Sequence, residues 1–363
     1  MTNRRLAAAV AAVSLALTGF VATTAVHAAG PQVGLILPDS ASSPRWETDD
    51  RPLLAAAFKA AGVTYDIQNA LGDKTKFATI AQAMLTEGVK VLVLVNLDSP
   101  SAAAVEASAK KQGVATIDYD RLTLGGSANY YVSFDNVGVG VLQGKGIVAC
   151  LKAHKVAKPR VVYLNGAPTD NNATLFKQGY ASIVGPYLKA TGGTLVDDKS
   201  VANWDNTLGG TIFEQQLTKA GGKLDAVVSA NEGLGLAAVA VLKKNNLNGK
   251  TCVSGQDASP AGLAAILTGD LSNTVYKPIS QEANAAAALA ISLVKGTAAK
   301  TNGFLNKVTG SPATAAGATS VPSVLLVPVG ITARNVKVVI ADGFQKKADV
   351  CKGIEKLCTA NGI

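Results

Sequence analysis

Thr116-Ile117-Asp118-Tyr119-Asp120-Arg121 is the stretch on which the fold turns. With Val114 and Ala115 ahead of it, it reads as a buried β-strand over 114–119 that stops on an acid and an arginine side by side. In open α/β sheets the ligand crevice lies beyond the carboxyl ends of the strands, so a strand ending in Asp120-Arg121 aims both charges at a ligand. A carboxylate accepts hydrogen bonds and a guanidinium donates them in a fixed fork; a vicinal diol uses both.

Upstream the same grammar repeats. Val33-Gly34-Leu35-Ile36-Leu37 reads as a short apolar strand, followed by a loop over 39–46 and a helix with Leu53, Leu54, Ala57, Phe58 and Ala61 at helical spacing. A strand over 64–68, a helix capped by Asp73, the aliphatic strand 91–95 and a helix over 101–112 lead into the 114–119 strand. Downstream, a strand at 130–136 feeds a helix over 137–153, and then a second series begins. Its strands are expected at 160–164, 194–197, 225–230, 252–255 and 273–277, with a helix after each; the tract 300–320 reads as loop and 321–329 as a last strand. The fold class is therefore α/β, with two Rossmann-like, doubly wound parallel-sheet domains. The lobes are expected over 31–132 plus 278–320 and over 133–277 plus 321–363.

The 363 residues, 48% hydrophobic and 16% charged, are enough for two such cores, and aromatics at 5% leave packing to small residues. The N-terminus has the form of a signal peptide over residues 1–28: Asn3-Arg4-Arg5, an apolar run from Leu6 to Val26, and Val26-His27-Ala28 before a cleavage site ahead of Ala29. Leu17-Thr18-Gly19-Phe20 is shaped like a lipoprotein box but has Phe where the lipidated Cys belongs. Export to a periplasm or cell-envelope exterior follows. The formal charge of +9 becomes +7 without Arg4 and Arg5 (9 − 2), and the lysines are spread rather than clustered, which argues against nucleic acid as a partner.

In an oxidising compartment four cysteines suggest disulfides. Cys351 and Cys358 are expected to pair and staple the C-terminal tail; Cys150 and Cys252 are a second bridge or two buried thiols. No CxxC occurs and His154 is the one histidine beyond the leader, so no metal is expected.

Catalytic chemistry has little to use: no GxSxG, HExxH or P-loop occurs. Gly233-Leu234-Gly235-Leu236-Ala237-Ala238 fits G-x-G-x-x-A after a strand, which keeps a nucleotide-dependent oxidoreductase as the alternative of another class. The motif lies in mid-domain, however, where small residues at a helix start serve packing. No cofactor is expected. Binding chemistry gathers instead at strand ends: Arg45-Trp46, Asp120-Arg121, Asp170-Asn171-Asn172, Asn231-Glu232, Gln256-Asp257 and Lys277. Trp46 and Trp204, the only tryptophans, sit among polar neighbours, as a flat ring covering the C–H face of a pyranose would.

These residues resemble the sugar-binding proteins of bacterial ABC transporters, in the type I periplasmic binding protein branch with xylose-binding and multiple-monosaccharide-binding members. The resemblance covers nearly all of the chain beyond the leader. It rests on Ser43-Pro44-Arg45-Trp46, Tyr119-Asp120-Arg121, Ser133-Phe134-Asp135-Asn136, Asp170-Asn171-Asn172-Ala173, Ser254-Gly255-Gln256-Asp257-Ala258 and Thr274-Val275-Tyr276-Lys277-Pro278, in family order. It implies a three-strand hinge, a monosaccharide in the cleft, xylose first, and delivery to an ABC permease, with a chemoreceptor as a further partner and a monomer as the working form. Arg45, Trp46, Asp120, Arg121, Asn172, Trp204, Asn231, Glu232, Asp257 and Lys277 are its expected contacts. Relatives of this kind carry Asn-Asp or Tyr-Asp where this chain has Asn231-Glu232; the extra methylene is expected to move a hydroxyl-binding carboxylate by roughly 1.5 Å, one C–C bond.

Overall fold

The computed structural model describes residues 30–307, 309–310, 312–313, 317 and 319–363; the expected signal peptide lies outside the described residues. The first unit runs β1 (Val33–Leu37), α1 (Arg51–Ala60), β2 (Tyr65–Asn69), α2 (Lys74–Thr86), β3 (Val91–Leu94), α3 (Ser99–Lys111), β4 (Ala115–Tyr119) and β5 (Tyr130–Phe134). Uninterrupted apolar runs make β1 and β3 buried along their whole lengths, as parallel strands covered on both faces must be. Asp73 and Asp98 cap α2 and α3 by accepting hydrogen bonds from first-turn amides.

The second unit comprises α4 (Asn136–Ala153), β6 (Arg160–Asn165), α5 (Asn171–Thr191), β7 (Thr194–Ser200), α6 (Asn206–Lys219), β8 (Ala226–Ser229), α7 (Glu232–Lys244), β9 (Cys252–Val253), α8 (Pro260–Thr268) and β10 (Thr274–Tyr276). The chain then returns through α9 (Ile279–Lys295), β11 (Gly303–Asn306), β12 (Pro312–Ala313) and β13 (Ser320–Leu326), and ends with β14 (Val329–Ile331), α10 (Lys337–Ala341), α11 (Lys347–Val350) and α12 (Glu355–Ala360).

The first sheet is ordered β12-β11-β13-β5-β4-β3-β1-β2, and the second β7-β6-β8-β9, with β10 and β14 as an antiparallel pair beside it. Strand order reverses between β1 and β3 in one sheet and between β6 and β8 in the other. Loops after neighbouring strands diverge at such points and leave a crevice. Two apolar clusters sandwich the first sheet. One includes alanines 283, 286, 287 and 290 of α9, whose small side chains let that helix lie close, and the other is built from α2 and α3. A third cluster fills the second lobe. There α4 and α5 cross at glycines: a Cβ on Gly140 would come within 2.0 Å of the Phe176 carbonyl oxygen.

The chain passes between the lobes three times, at Asp135, at Lys277-Pro278 and at Val327-Pro328. The last crossing corrects the sequence reading of one strand over 321–329. Pro328 has no N–H for a ladder, and the run divides there into β13, parallel to β5 in the first sheet, and β14, antiparallel to β10. Residues 321–326 and Ser133-Phe134, assigned from sequence to the second lobe, thus hydrogen-bond within the first sheet. The tract read as loop over 300–320 carries β11 and β12 at that sheet's edge.

Candidate functional site

Each side chain of the site is delivered by the end of a strand or the start of a helix. Arg45 and Trp46 begin a π-helical turn over Trp46–Asp50 that follows β1. Asp120 and Arg121 follow β4, Asp170 and Asn172 stand at the start of α5, Asn231 caps α7, and Lys277 follows β10. The two switch points face one another, and the chamber between them is lined by Ser42, Arg45, Trp46, Asp120 and Arg121, with Asp170, Asn172, Phe176, Trp204, Asn231, Gln256, Asp257 and Lys277 opposite. Nine of the ten residues expected from sequence line it; Glu232 does not.

Arg45 organises the first lobe's half. Its Nε and Nη2 donate to the two Asp50 oxygens at 2.9 and 3.0 Å, Nη2 also reaches Glu282 Oε2 at 2.9 Å, and Nη1 donates to Asp120 Oδ2 at 3.0 Å. Burial disfavours its charge, yet Asp50, Asp120 and Glu282 hold its pKa well above the usual value. The guanidinium lies 4.3 Å from the Trp46 ring centroid, fixing the indole as a flat wall.

Asp120 is the junction of the lobes. Its Oδ1 and its carbonyl oxygen each accept from Asn172 Nδ2 at 3.0 Å, and its Oδ2 is 3.9 Å from Lys277 Nζ. Burial raises its pKa, but Arg45, Lys277 and Arg121 together outweigh that and hold the carboxyl below the usual range, an ionised hydrogen-bond acceptor. Its φ of 62° lies in the left-handed region, held there by Tyr131 and Ser133, whose hydroxyls donate to its carbonyl. Trp204 (φ 56°) and Asp257 (φ 121°) share that uncommon sign, so three wall residues stand on unusual backbone.

Arg121 Nε lies 3.2 Å from Asp170 Oδ2, which also accepts from Trp204 Nε1 at 3.1 Å. Lys277 Nζ is 3.6 Å from Asp257 Oδ1 and about equally far from the Phe134 and Phe176 rings, at 5.9 and 6.0 Å. Burial, only partly offset by Lys277, raises the Asp257 carboxyl. The chamber measures about 40 Å³. Arg45, Asp120 and Lys277 satisfy one another within it.

Glu232 has a different place from the one expected. It opens α7, but its carboxylate turns behind the wall, where Oε1 accepts from Ala258 N at 2.9 Å and Thr274 Oγ1 at 2.5 Å, and Oε2 from Ser259 N at 2.8 Å and from the Ser259 hydroxyl. Gly262 makes room: a Cβ there would meet Glu232 Cδ at 2.0 Å. The longer side chain thus reaches past the chamber into the loop that carries Gln256 and Asp257. Burial pushes its carboxyl up to about 7 despite these four donors.

Sequence reasoning missed Phe176, Glu282 and Ser42. Phe176 follows Asn172 by four positions on α5, a spacing that puts both on one helix face. Glu282 meets Arg45 across 237 positions, a pairing no local pattern announces. The glycines of the G-x-G-x-x-A run are packing positions: a Cβ on Gly235 would meet the Ser229 hydroxyl at 2.8 Å and the Ser254 carbonyl at 2.9 Å. Both cysteine pairs are bonded, Cys150 to Cys252 and Cys351 to Cys358.

Two α/β lobes, three crossings and a polar chamber between opposed switch points define a two-lobed binding cleft. A family model described as periplasmic binding protein domain matches residues 33–298, and the chain belongs to that family, with its type I fold. It is 33% identical over 329 residues to the "D-xylose-binding periplasmic protein" of Escherichia coli (strain K12), covering 90% of this chain and 94% of that one. It is 30% identical over 334 residues to the "Multiple sugar-binding periplasmic receptor ChvE" of Rhizobium radiobacter, covering 88% and 92%. Among solved structures it is similar to a carbohydrate transporter solute binding protein from Chloroflexus aurantiacus in complex with D-glucose, with a TM-score of 0.77, 26% identity, and coverage of 88% of this chain and 98% of that one.

Proposed function

We propose that this protein captures one monosaccharide, xylose first, between closing lobes outside the cytoplasm and delivers it to an ABC permease. The observation that carries this reading is the Asp120–Asn172–Lys277 junction: an ionised acid, an amide and an ammonium from both lobes converge beside the Trp46, Phe176 and Trp204 rings. Acceptors and donors in that mixture suit hydroxyls, and the rings suit a sugar's C–H faces. Relatives named for D-xylose at 33% identity favour a pentose. Arg45, Trp46, Asp120, Arg121, Asn172, Trp204, Asn231, Asp257 and Lys277 are the contacts on this reading, while Glu232 positions the loop behind them.

Closure follows from differential affinity: the sugar touches both lobes only when they are shut, so it shifts an open–closed equilibrium. Hydrogen bonds to charged groups contribute about 1.5–3 kcal/mol each. Three or four account for the roughly 8 kcal/mol of a micromolar complex. Holding rather than transforming the sugar, the chain acts as a carrier, not an enzyme, and as a monomer. Docking to a chemoreceptor is a second use of the closed form, favoured by the relative named a receptor. The test is calorimetric titration with D-xylose, L-arabinose, D-glucose and D-galactose. Micromolar or tighter binding of at least one aldose supports the reading; no binding of any removes it.

A further inference from the structure

Cys150 lies in the last turn of α4, His154 follows the helix as its C-terminal cap, and Cys252 opens β9. They meet at the end of the second sheet opposite the chamber. His154 Nε2 is 4.0 Å from Cys150 Sγ and its Nδ1 is 3.8 Å from Cys252 Sγ; the three donor groups all fall within 4.8 Å of one another. Ser272 Oγ stands 3.3 Å from Cys150 Sγ. A cavity of about 490 Å³, lined by Cys150, His154, Thr251, Ser272 and Arg334 among others, reaches the cluster, and the imidazole itself is exposed.

Tetrahedral zinc, with Zn–S of about 2.3 Å and Zn–N of about 2.0–2.1 Å, separates its sulfur and nitrogen ligands by about 3.6 Å. The two S···N distances are near that spacing but run to different ring nitrogens, so the imidazole has to turn to bring one nitrogen to both sulfurs as the sulfurs part.

We propose that Cys150, Cys252 and His154 form a redox-gated site for a thiophilic divalent cation, zinc(II) first, closed while the disulfide stands and opened by a dithiol reductant. In the opening step a dithiol passes two electrons and two protons to the S–S bond. That bond breaks to two thiols, and the reductant becomes a cyclic disulfide. In the loading step the cation displaces both thiol protons to solvent and takes the lone pair of neutral His154, with Ser272 Oγ or water as the fourth ligand. The metal then joins α4 to β9 as the disulfide did.

The test uses the full chain carrying Cys351→Ser and Cys358→Ser, so that thiols arise only at positions 150 and 252. After reduction and anaerobic removal of the dithiol, cobalt(II) titration should give sulfur-to-cobalt charge-transfer and tetrahedral visible bands at one equivalent, reversed by zinc(II). His154→Ala should weaken zinc binding at least tenfold, and the oxidised protein should give no such bands. Absence of charge-transfer bands in the reduced protein, or equal zinc affinity with and without His154, overturns the proposal. If reduction unfolds the second lobe, circular dichroism takes over as the readout: zinc-dependent recovery of the folded signal supports the site, and no recovery removes it.

Discussion

Glu232→Gln isolates a buried carboxyl whose titration is tied to folding. Burial holds Glu232 at about 7 in the folded chain, against an ordinary 4.5, so the folded state binds a proton across an interval in which the unfolded chain has released it. The contribution of this proton to stability is full below about pH 4.5 and vanishes as pH rises through about 7. At about 1.4 kcal/mol per pKa unit, integration between pH 5 and pH 8 gives a loss of about 2.5 kcal/mol. Glutamine does not titrate, while other buried carboxyls such as Asp257 and Asp118 remain in both proteins and cancel in the difference. Urea unfolding of both proteins at half-unit pH steps should therefore show the stability gap changing by about 2.5 kcal/mol from pH 5 to pH 8, with the wild type gaining toward the acid side. Parallel stability profiles would refute the argument, because they would mean that the four donors keep Glu232 ionised throughout.

Three further outcomes are expected. Asp120→Asn, which keeps a side chain tolerant of the left-handed backbone, should lower affinity for the best sugar at least a hundredfold by calorimetry, with far-ultraviolet dichroism unchanged, because Arg45, Lys277 and the hydroxyls lose their shared anion. Gly166→Ala should displace Trp204, since a Cβ there would come within 2.0 Å of the indole; tryptophan emission should shift and sugar affinity fall about tenfold or more. Replacing Cys150 and Cys252 together by serine removes a link spanning 102 positions and should cost about 4–5 kcal/mol, read as a melting temperature lower by roughly 10–15 °C.

The parallel sheets were legible because aliphatic runs such as Val91-Leu92-Val93-Leu94 leave a strand no exposed face. The site was legible for a related reason: where a strand buried on both faces ends in Asp120-Arg121, the abrupt change of polarity marks the crevice. Features set by three-dimensional return of the chain stayed hidden. Glu232 looked like a wall residue because α7 begins at the wall; its direction depends on the loop with positive φ at Asp257 and Ala258, which offers two amides behind it. The β11–β12 ladder lies in Gly-, Thr- and Ala-rich sequence with little strand pattern of its own and forms against β13. The break at Pro328 was readable in principle, since a residue without an N–H marks a ladder's limit.

The contacts that join the lobes across the chamber, Arg121 with Asp170 and Asp120 with Asn172 and Lys277, are polar. Parting them wets ions and amides rather than tearing apart an oily seam, and polar hydration carries a small, negative heat-capacity increment. The receptive form is therefore inexpensive to reach across a wide temperature range, and the rings it wets, Trp46, Phe176 and Trp204, stand among charged side chains rather than in one greasy patch. A carrier that waits empty benefits from that arrangement as much as from its grip on the cargo.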